Sequence, residues 1–249
     1  MCLILFAYRS HPRFPLIVAA NRDEFLARPT AQASFWTEDP DILAGRDEVA
    51  GGTWLGVTRQ GRFAAVTNYR DLRRPRPSDP PSRGMLVLQA LKGSFDHSGS
   101  ERYDGFNLLF GTVHDLHYHN NIDRTWSLVE PGVHGLSNHL LDTPWPKVQR
   151  ARAAFASVIG TDEPDPEALF TMLSDRTIAP DNLLPDTGIG LPRERALSSA
   201  FITTEDYGTR CSTVVLFATD GRITFEERSW RPTNAVRYNF TTSQPATSV

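Results

Sequence analysis

Cysteine is the scarcest of the residues that carry chemistry in this chain: 249 residues contain two, Cys2 and Cys211. Two thiols cannot build a disulfide framework, nor a four-ligand zinc site on their own, so both are expected to be free in a reducing, cytoplasmic setting. Net charge is also small, -3, which excludes the broad basic field that drives sequence-independent binding to nucleic acid or anionic membranes. Long apolar runs are missing. CLILFAY and FPLIVAA fall well short of the ~20 residues that span a bilayer, and Arg9, Ser10, His11 and Arg13 interrupt them. No basic segment precedes them and no cleavage pattern follows, so the chain is expected to stay in its compartment of synthesis. Neither a repeat nor a linker divides it. The expectation is one domain over residues 1–249, without nucleic-acid partners or stable membrane insertion.

A hydrophobic fraction of 40% and a charged fraction of 22% describe a globular protein that can bury a core. Strand-like runs open the chain: residues 3–8 and 16–20 flank a polar turn with Pro12 and Pro15, which predicts an antiparallel pair. TWLGVTRQGRFAAVTN repeats the pattern around Gln60-Gly61, and FNLLFGTVHDLHYHNN turns at Asp115. Residues 70–84, dense in Arg and Pro, cannot form a central strand or a regular helix and must be a surface loop. MLVLQAL is expected to be helical. From Lys147 the period changes to that of a helix, with Val148, Ala151, Phe155 and Val158 on one face, and a second helix is expected over 165–173. Residues 177–195 read as a long loop, and Asp220-Gly221 joins two final strands. The tail TTSQPATSV is expected to fray. Strands at both ends with helices between them predict an α+β layered domain of antiparallel sheets.

Cys2 is the candidate nucleophile. A thiol reacts as thiolate and has an ordinary pKa of about 8.5, whereas an N-terminal amine, at roughly 7.7 to 8.0, is suited to act as general base at neutral pH. Removal of Met1 would put nucleophile and base on one residue, and the small side chain at position 2 permits it. The alternative is a small apolar residue at the start of a buried strand.

The N-terminal Met-Cys strand, followed by a strand ending in ANRDE, resembles the N-terminal nucleophile hydrolases, especially their choloylglycine hydrolase and penicillin V acylase branch. Asn21 and Asp23 match the Asn and Asp of that branch's Gly-Arg-Asn-x-Asp pattern, while Ala20 stands where its Arg would be and Arg22 falls on the variable position. More closely, the chain is similar throughout to the NRDE family, also called the transport and Golgi organisation protein 2 family. The motifs are N-R-D-E at 21–24, G-G-T-W-L-G at 51–56, T-N-Y-R at 67–70, S-R-G at 82–84, L-S-N at 136–138 with D-T-P-W-P-K at 142–147, and Y-G-T-R-C-S-T-V-V at 207–215.

The resemblance implies a four-layer αββα sandwich, with the nucleophile at the end of a central strand. It implies catalytic roles for Cys2, for Asp23 holding the Cys2 amine, for Asn68 and Asn138 as donors to an oxyanion, and for Arg210 as a cation favouring the thiolate. Arg22, Asn21, Arg70 and Ser212 form the accompanying substrate-binding set. Each has a structural alternative: Asn68 and Asn138 as turn or cap residues, Asp23 or Arg22 in a structural ion pair with each other or with Arg28, Arg210 as a surface charge. In a regular strand Arg210 and Ser212 share a face and Cys211 takes the other. Trp54, Gly51 and Gly52 are expected to serve packing and a tight turn.

Arg70, Arg73, Arg74 and Arg76 lie in the loop; if it borders the pocket, they would favour an anionic head group such as a phosphate or carboxylate. The implied activity is an amidohydrolase or acyltransferase acting on an amide, ester or thioester. The alternative is a carrier of haem, lipid or acyl chains, since members of the family are linked to haem trafficking. No cofactor or metal is expected, with haem only as cargo. Of His114, His117 and His119, the last two alternate onto one strand face, and solvent exposure is their expected state.

Overall fold

The computed structural model describes residues 2–243. Its strands are β1 (Cys2–Tyr8), β2 (Leu16–Phe25), β3 (Thr30–Phe35), β4 (Ile42–Asp47), β5 (Leu55–Thr58), β6 (Phe63–Asn68), β7 (Phe106–Gly111), β8 (Leu116–Asn120), β9 (Trp126–Leu128), β10 (Gly132–Leu136), β11 (Tyr207–Phe217), β12 (Arg222–Trp230) and β13 (Thr233–Thr241). Its helices are α1 (Gly84–Leu91), α2 (Pro146–Ile159), α3 (Pro166–Leu173) and α4 (Leu191–Ala196). One sheet has six strands in the order β10-β1-β2-β11-β12-β13, and the other is a seven-stranded meander from β3 to β9. All pairings are antiparallel.

The pleat of β1 explains the layering. Ile4, Phe6 and Tyr8 point between the sheets and meet Leu43, Val57, Phe63 and Leu109 of the second sheet. Leu3, Leu5 and Ala7 point the other way, onto Val148, Phe155, Leu169 and Leu173 of α2 and α3. A strand buried on both faces needs the unbroken apolar run that CLILFAY supplies. α1 covers the far face of the second sheet through Leu86, Val87 and Leu91. The result is the four-layer αββα sandwich. Phe6 and Phe225 are fully buried, each contributing about 2–3 kcal/mol relative to exposure.

The helix ends follow their sequence. Pro146 and Pro166 occupy first-turn positions, where the missing N–H costs nothing, and the Asp165 side chain accepts from the Glu167 N–H at 3.0 Å. The buried stripe of α2 is Val148, Ala151, Phe155 and Ile159; Val158 is only partly buried. The expected loop over 177–195 contains a 3₁₀ turn at Asp181–Leu183 and the start of α4. The tail is partly held: Thr241 ends β13, the Thr242 N–H donates to the Gly221 carbonyl at 2.9 Å, and that of Ser243 to Arg59 at 3.0 Å. Residues 244–249 of that tail lie outside the described residues. Among the described residues no helix is long and apolar enough to cross a membrane.

Candidate active site

β1 and β2 run antiparallel so that Cys2 stands opposite Arg22. Paired residues share a face, so both side chains enter the space between the sheets, in line with Ile4 and Ala20. There they line a cavity of about 880 Å³, together with Asp23, Trp54, Asn68 and Tyr207. Cys2 is partly exposed as a residue, but its thiol sits deep. Burial pushes the thiol's pKa up, and the Asp23 charge adds to this, while Arg22 and the Asp23 backbone N–H pull it down. The Arg22 guanidinium lies 4.2 Å from the centroid of the Trp54 ring and reaches Thr30 Oγ1 at 3.2 Å. A cation thus stands on the nucleophile's face two residues beyond Ala20, where the acylase pattern has its Arg.

Asp23 takes the opposite face of β2, toward the helices. It is 1% exposed and accepts a 2.7 Å hydrogen bond from Thr209 Oγ1, while the Tyr207 hydroxyl donates to its carbonyl at 2.9 Å. Burial raises its pKa, against the cations around it.

A bulge in β11 changes the expected arrangement of Arg210 and Cys211. Thr209 pairs with Asp23 but Cys211 pairs with Arg22, so the register slips between them and the ladder changes face. Arg210 leaves the ladder, and its Nη1 donates to the carbonyls of Phe25, Leu26 and Arg28 at 2.8 to 2.9 Å. It braces the turn after β2 and is not among the residues lining the cavity. Cys211 shares the face of Cys2 instead of opposing it. Two strand spacings, about 10 Å, still separate them, beyond disulfide reach, and both are free.

The two asparagines divide. Asn68, at the end of β6, lines the cavity. Asn138 is fully buried and does not line it; its Nδ2 donates to the Asn68 carbonyl at 3.0 Å, and its own carbonyl accepts from the Arg70 N–H at 2.8 Å. It therefore staples the strand beside β1 to the segment carrying Asn68 and Arg70. Asn21 and Ser212 are likewise committed away from the cavity. Asn21 Nδ2 donates to the carbonyls of Leu173 and Ala200, each at 2.8 Å, and Ser212 Oγ donates to Asn21 Oδ1 at 2.6 Å. This pair ties the helix layer to the sheet.

Two glycine motifs meet beside the pocket. A Cβ on Gly52 would lie 2.6 Å from the carbonyl carbon of Gly84, so G-G-T-W and S-R-G are joined by a backbone contact that admits only glycine. That contact sets the start of α1 and puts Arg83 at the cavity wall. The Trp54 ring in turn covers Gly45, where a Cβ would come within 2.2 Å of it.

The arginine loop does border the cavity. Arg74, together with Arg124 and Arg193, lines it without an ion pair among the described residues. Arg76 pairs with Asp104, Arg73 pairs with Asp71 and does not line the cavity, and Arg70 forms a buried pair with Glu194 at 2.7 Å.

Sequence reasoning missed Lys147. It lies in the first turn of α2, is 2% exposed, and its Nζ has no hydrogen-bond partner among the described residues. Burial pulls its pKa down to about 8, while the Asp23 charge works the other way. A signal was present: a lysine one residue after Pro at the start of a helix sits at the positive end of the helix dipole.

The strand histidines are not solvent-facing as expected. His119 is 3% exposed, hydrogen-bonded through Nε2 to Ser100 Oγ at 3.1 Å and through Nδ1 to the Thr125 carbonyl at 2.8 Å, and packed near Phe95 and Trp126. His117 stacks on Phe110 at 5.4 Å. His114 stays exposed, its carbonyl accepting from Arg9 Nη2 at 2.6 Å. Among the described residues no group of three or more His, Cys, Asp or Glu is arranged to hold a metal ion.

Two facing antiparallel sheets between helix layers, with the second residue lining the inter-sheet cavity, define the N-terminal nucleophile hydrolase-like fold. A Caenorhabditis elegans N-acylethanolamine-hydrolyzing acid amidase ortholog superposes with a TM-score of 0.51 at 9% identity, over 86% of this chain and 92% of its own. A mutant conjugated bile acid hydrolase from Clostridium perfringens does so with a TM-score of 0.50 at 8% identity, over 98% of both chains. At these identities the likeness is one of fold. The chain belongs to the Transport and Golgi organisation 2 family, whose profile it matches over residues 1–232. It is 34% identical to the Bos taurus Transport and Golgi organization protein 2 homolog over 98% of both chains. It is 27% identical to the Drosophila melanogaster Transport and Golgi organization protein 2 over 92% of both.

Proposed function

We propose that this chain is a cysteine N-terminal nucleophile acyl hydrolase or acyltransferase, acting on an amide, ester or thioester whose leaving portion bears an anionic group. The observation that carries the reading is Cys2 at the wall of a large cavity with Arg22 opposite it and Asn68 nearby. With Met1 removed, the Cys2 amine takes the thiol proton as Sγ bonds to the substrate carbonyl carbon. Asn68 Nδ2 would donate to the resulting oxyanion, a contact typically worth about 10²–10³ in rate. The carbon–heteroatom bond then breaks, the leaving group departs with the proton, and an acyl thioester remains on Cys2. Water or another acceptor releases the acyl group. Arg74, Arg124 and Arg193, which line the cavity and form no ion pair among the described residues, favour a phosphate or carboxylate on the substrate.

The test offers the full chain matched acyl thioesters and esters that carry or lack a phosphate on the leaving group, with peptide masses read after quenching. The acyl mass should appear on Cys2, be absent in Cys2→Ala, and accumulate faster from the phosphate-bearing substrate. Equal acylation in Cys2→Ala would overturn the reading.

A carrier of acyl chains, lipid or haem on the same fold is the second reading. It is favoured by the buried, raised thiol of Cys2, a weak nucleophile as long as Met1 denies it an adjacent amine. Tight acyl-chain binding without turnover, unchanged in Cys2→Ala, would support it, and haem titration would test that cargo.

A further inference from the structure

Lys147 is placed badly for stability. Its ammonium is buried, stands at the positive end of α2, and has no hydrogen-bond partner among the described residues. The charges that act on it come from four elements: Asp23 on β2, Cys2 on β1, Arg70 after β6, and Glu194 on α4. Arg70 and Glu194 neutralise each other at 2.7 Å, and Glu194 also accepts from the Thr187 N–H at 2.8 Å. The carboxylate left to balance Lys147 is Asp23, and each of the two lies in the other's field. Asp23 is held by Thr209 on the helix side of β2, at the end of the strand that pairs with Cys2. Arg22 stands on the far face, and Arg83, at the cavity wall, is paired with Asp104 at 3.8 Å.

We infer that Lys147 is a positioning residue for this chemistry: by balancing the Asp23 carboxylate from the helix side, it keeps the Cys2 α-amine neutral and able to accept the thiol proton. The inference rests on the N-terminal nucleophile reading above. Asp23 and Lys147 are both buried and together neutral, and Glu24 is paired with Arg22 at 3.8 Å, so a second ammonium beside Asp23 has no carboxylate of its own. Without Lys147, Asp23 would draw a proton onto the amine and remove the base. Tyr207 donates to the Asp23 backbone carbonyl and supplies no competing charge.

The chain has only two cysteines, so [2-¹³C]cysteine labelling yields two signals, with Cys211→Ser assigning them. The Cys2 Cα shift, followed against pH, reads the amine. In Lys147→Met the midpoint of the amine step should rise by about one pH unit, and Lys147→Arg should restore it. Met fills the same volume and removes an unpartnered buried charge, so the melting temperature should hold or rise. If Lys147→Arg fails to fold, the Lys147→Met midpoint decides. An unmoved midpoint in Lys147→Met, with a Cys2 amine that titrates in the parent chain, overturns the role of Lys147 alone. A Cys2 signal carrying no amine titration in the parent chain, because Met1 is still attached, overturns both readings.

Discussion

Cys2 and Arg22 stand directly opposite each other in the β1–β2 ladder and present their side chains to the same inter-sheet space. That one register places a buried guanidinium beside the candidate nucleophile, and Trp54 holds it there from its other side. Charge and packing at this point are therefore separable by substitution.

Arg22→Gln keeps a planar, hydrogen-bonding group over Trp54 and removes the cation that pulls the Cys2 thiol down. Iodoacetamide labelling of Cys2 at pH 7.5, read by peptide mass, should slow about tenfold, the effect of one pKa unit. Labelling at the parent rate would show that Arg22 acts only in packing.

Arg70 and Glu194 are 7% and 3% exposed, and their ion pair joins the loop after β6 to α4. Arg70→Met strands a buried carboxylate and should cost about 3–5 kcal/mol in urea unfolding. The double variant Arg70→Met/Glu194→Leu should recover most of that loss.

Gly52→Ala puts a methyl group against the Gly84 backbone, where no flexible atom can give way. The expected cost is about 1–3 kcal/mol in chemical denaturation, with Arg83 displaced from the cavity wall. Substituting Gly51, which meets nothing within 4 Å, should cost less and only through its φ of +73°.

His134 Nδ1 lies 2.7 Å from Asp142 Oδ2, which ties β10 to the loop before α2. Burial is the largest effect and opposes the imidazolium charge, but the Asp142 bond, the Glu130 carbonyl and the Asp142 charge together outweigh it, and the His134 pKa is raised. The Asp142 pKa is lowered, its burial being outweighed by the bonds from His134 and the Gly135 N–H. The His134 contribution is full below its unfolded pKa of about 6.5 and fades as pH rises through the higher folded value. The Asp142 contribution is full above about 3.9 and fades as pH falls through its lower folded value. The stability gap between the parent chain and His134→Gln should peak near pH 5, at about 1 kcal/mol, and narrow above pH 7. A gap independent of pH would mean that the pair is not charged.

Much of the frame is legible in the sequence because it is written in strong local signals. The apolar run of β1, the turn at Asp220-Gly221 and the helical period of α2 each survive in the fold. β3 and β13 are harder to read. TAQASF is small and polar, and β13 is an edge strand with its outer face in solvent, so neither shows a run of buried apolar residues.

The site was legible in its residue types more than in its orientations. Cys2, Arg22, Asp23, Asn68 and Arg70 line the cavity, whereas Arg210 does not, because strand alternation presumes a regular ladder and the bulge before Cys211 breaks it. Asn21, Ser212 and Asn138 sit close in sequence to cavity residues, but buried hydrogen bonds at a distance in the chain claim them. Lys147 escaped because a lysine in a motif suggests a solvated face, and only the packing of α2 on the sheet reveals it as buried.

The central claim is that Cys2 becomes the first residue and unites nucleophile and base. Intact-mass and N-terminal peptide analysis of the full chain, purified from cells with methionine aminopeptidase, tests this most directly. The predicted result is a chain that begins at Cys2 with a free amine and takes one acyl group there. A chain that keeps Met1 in full would contradict it.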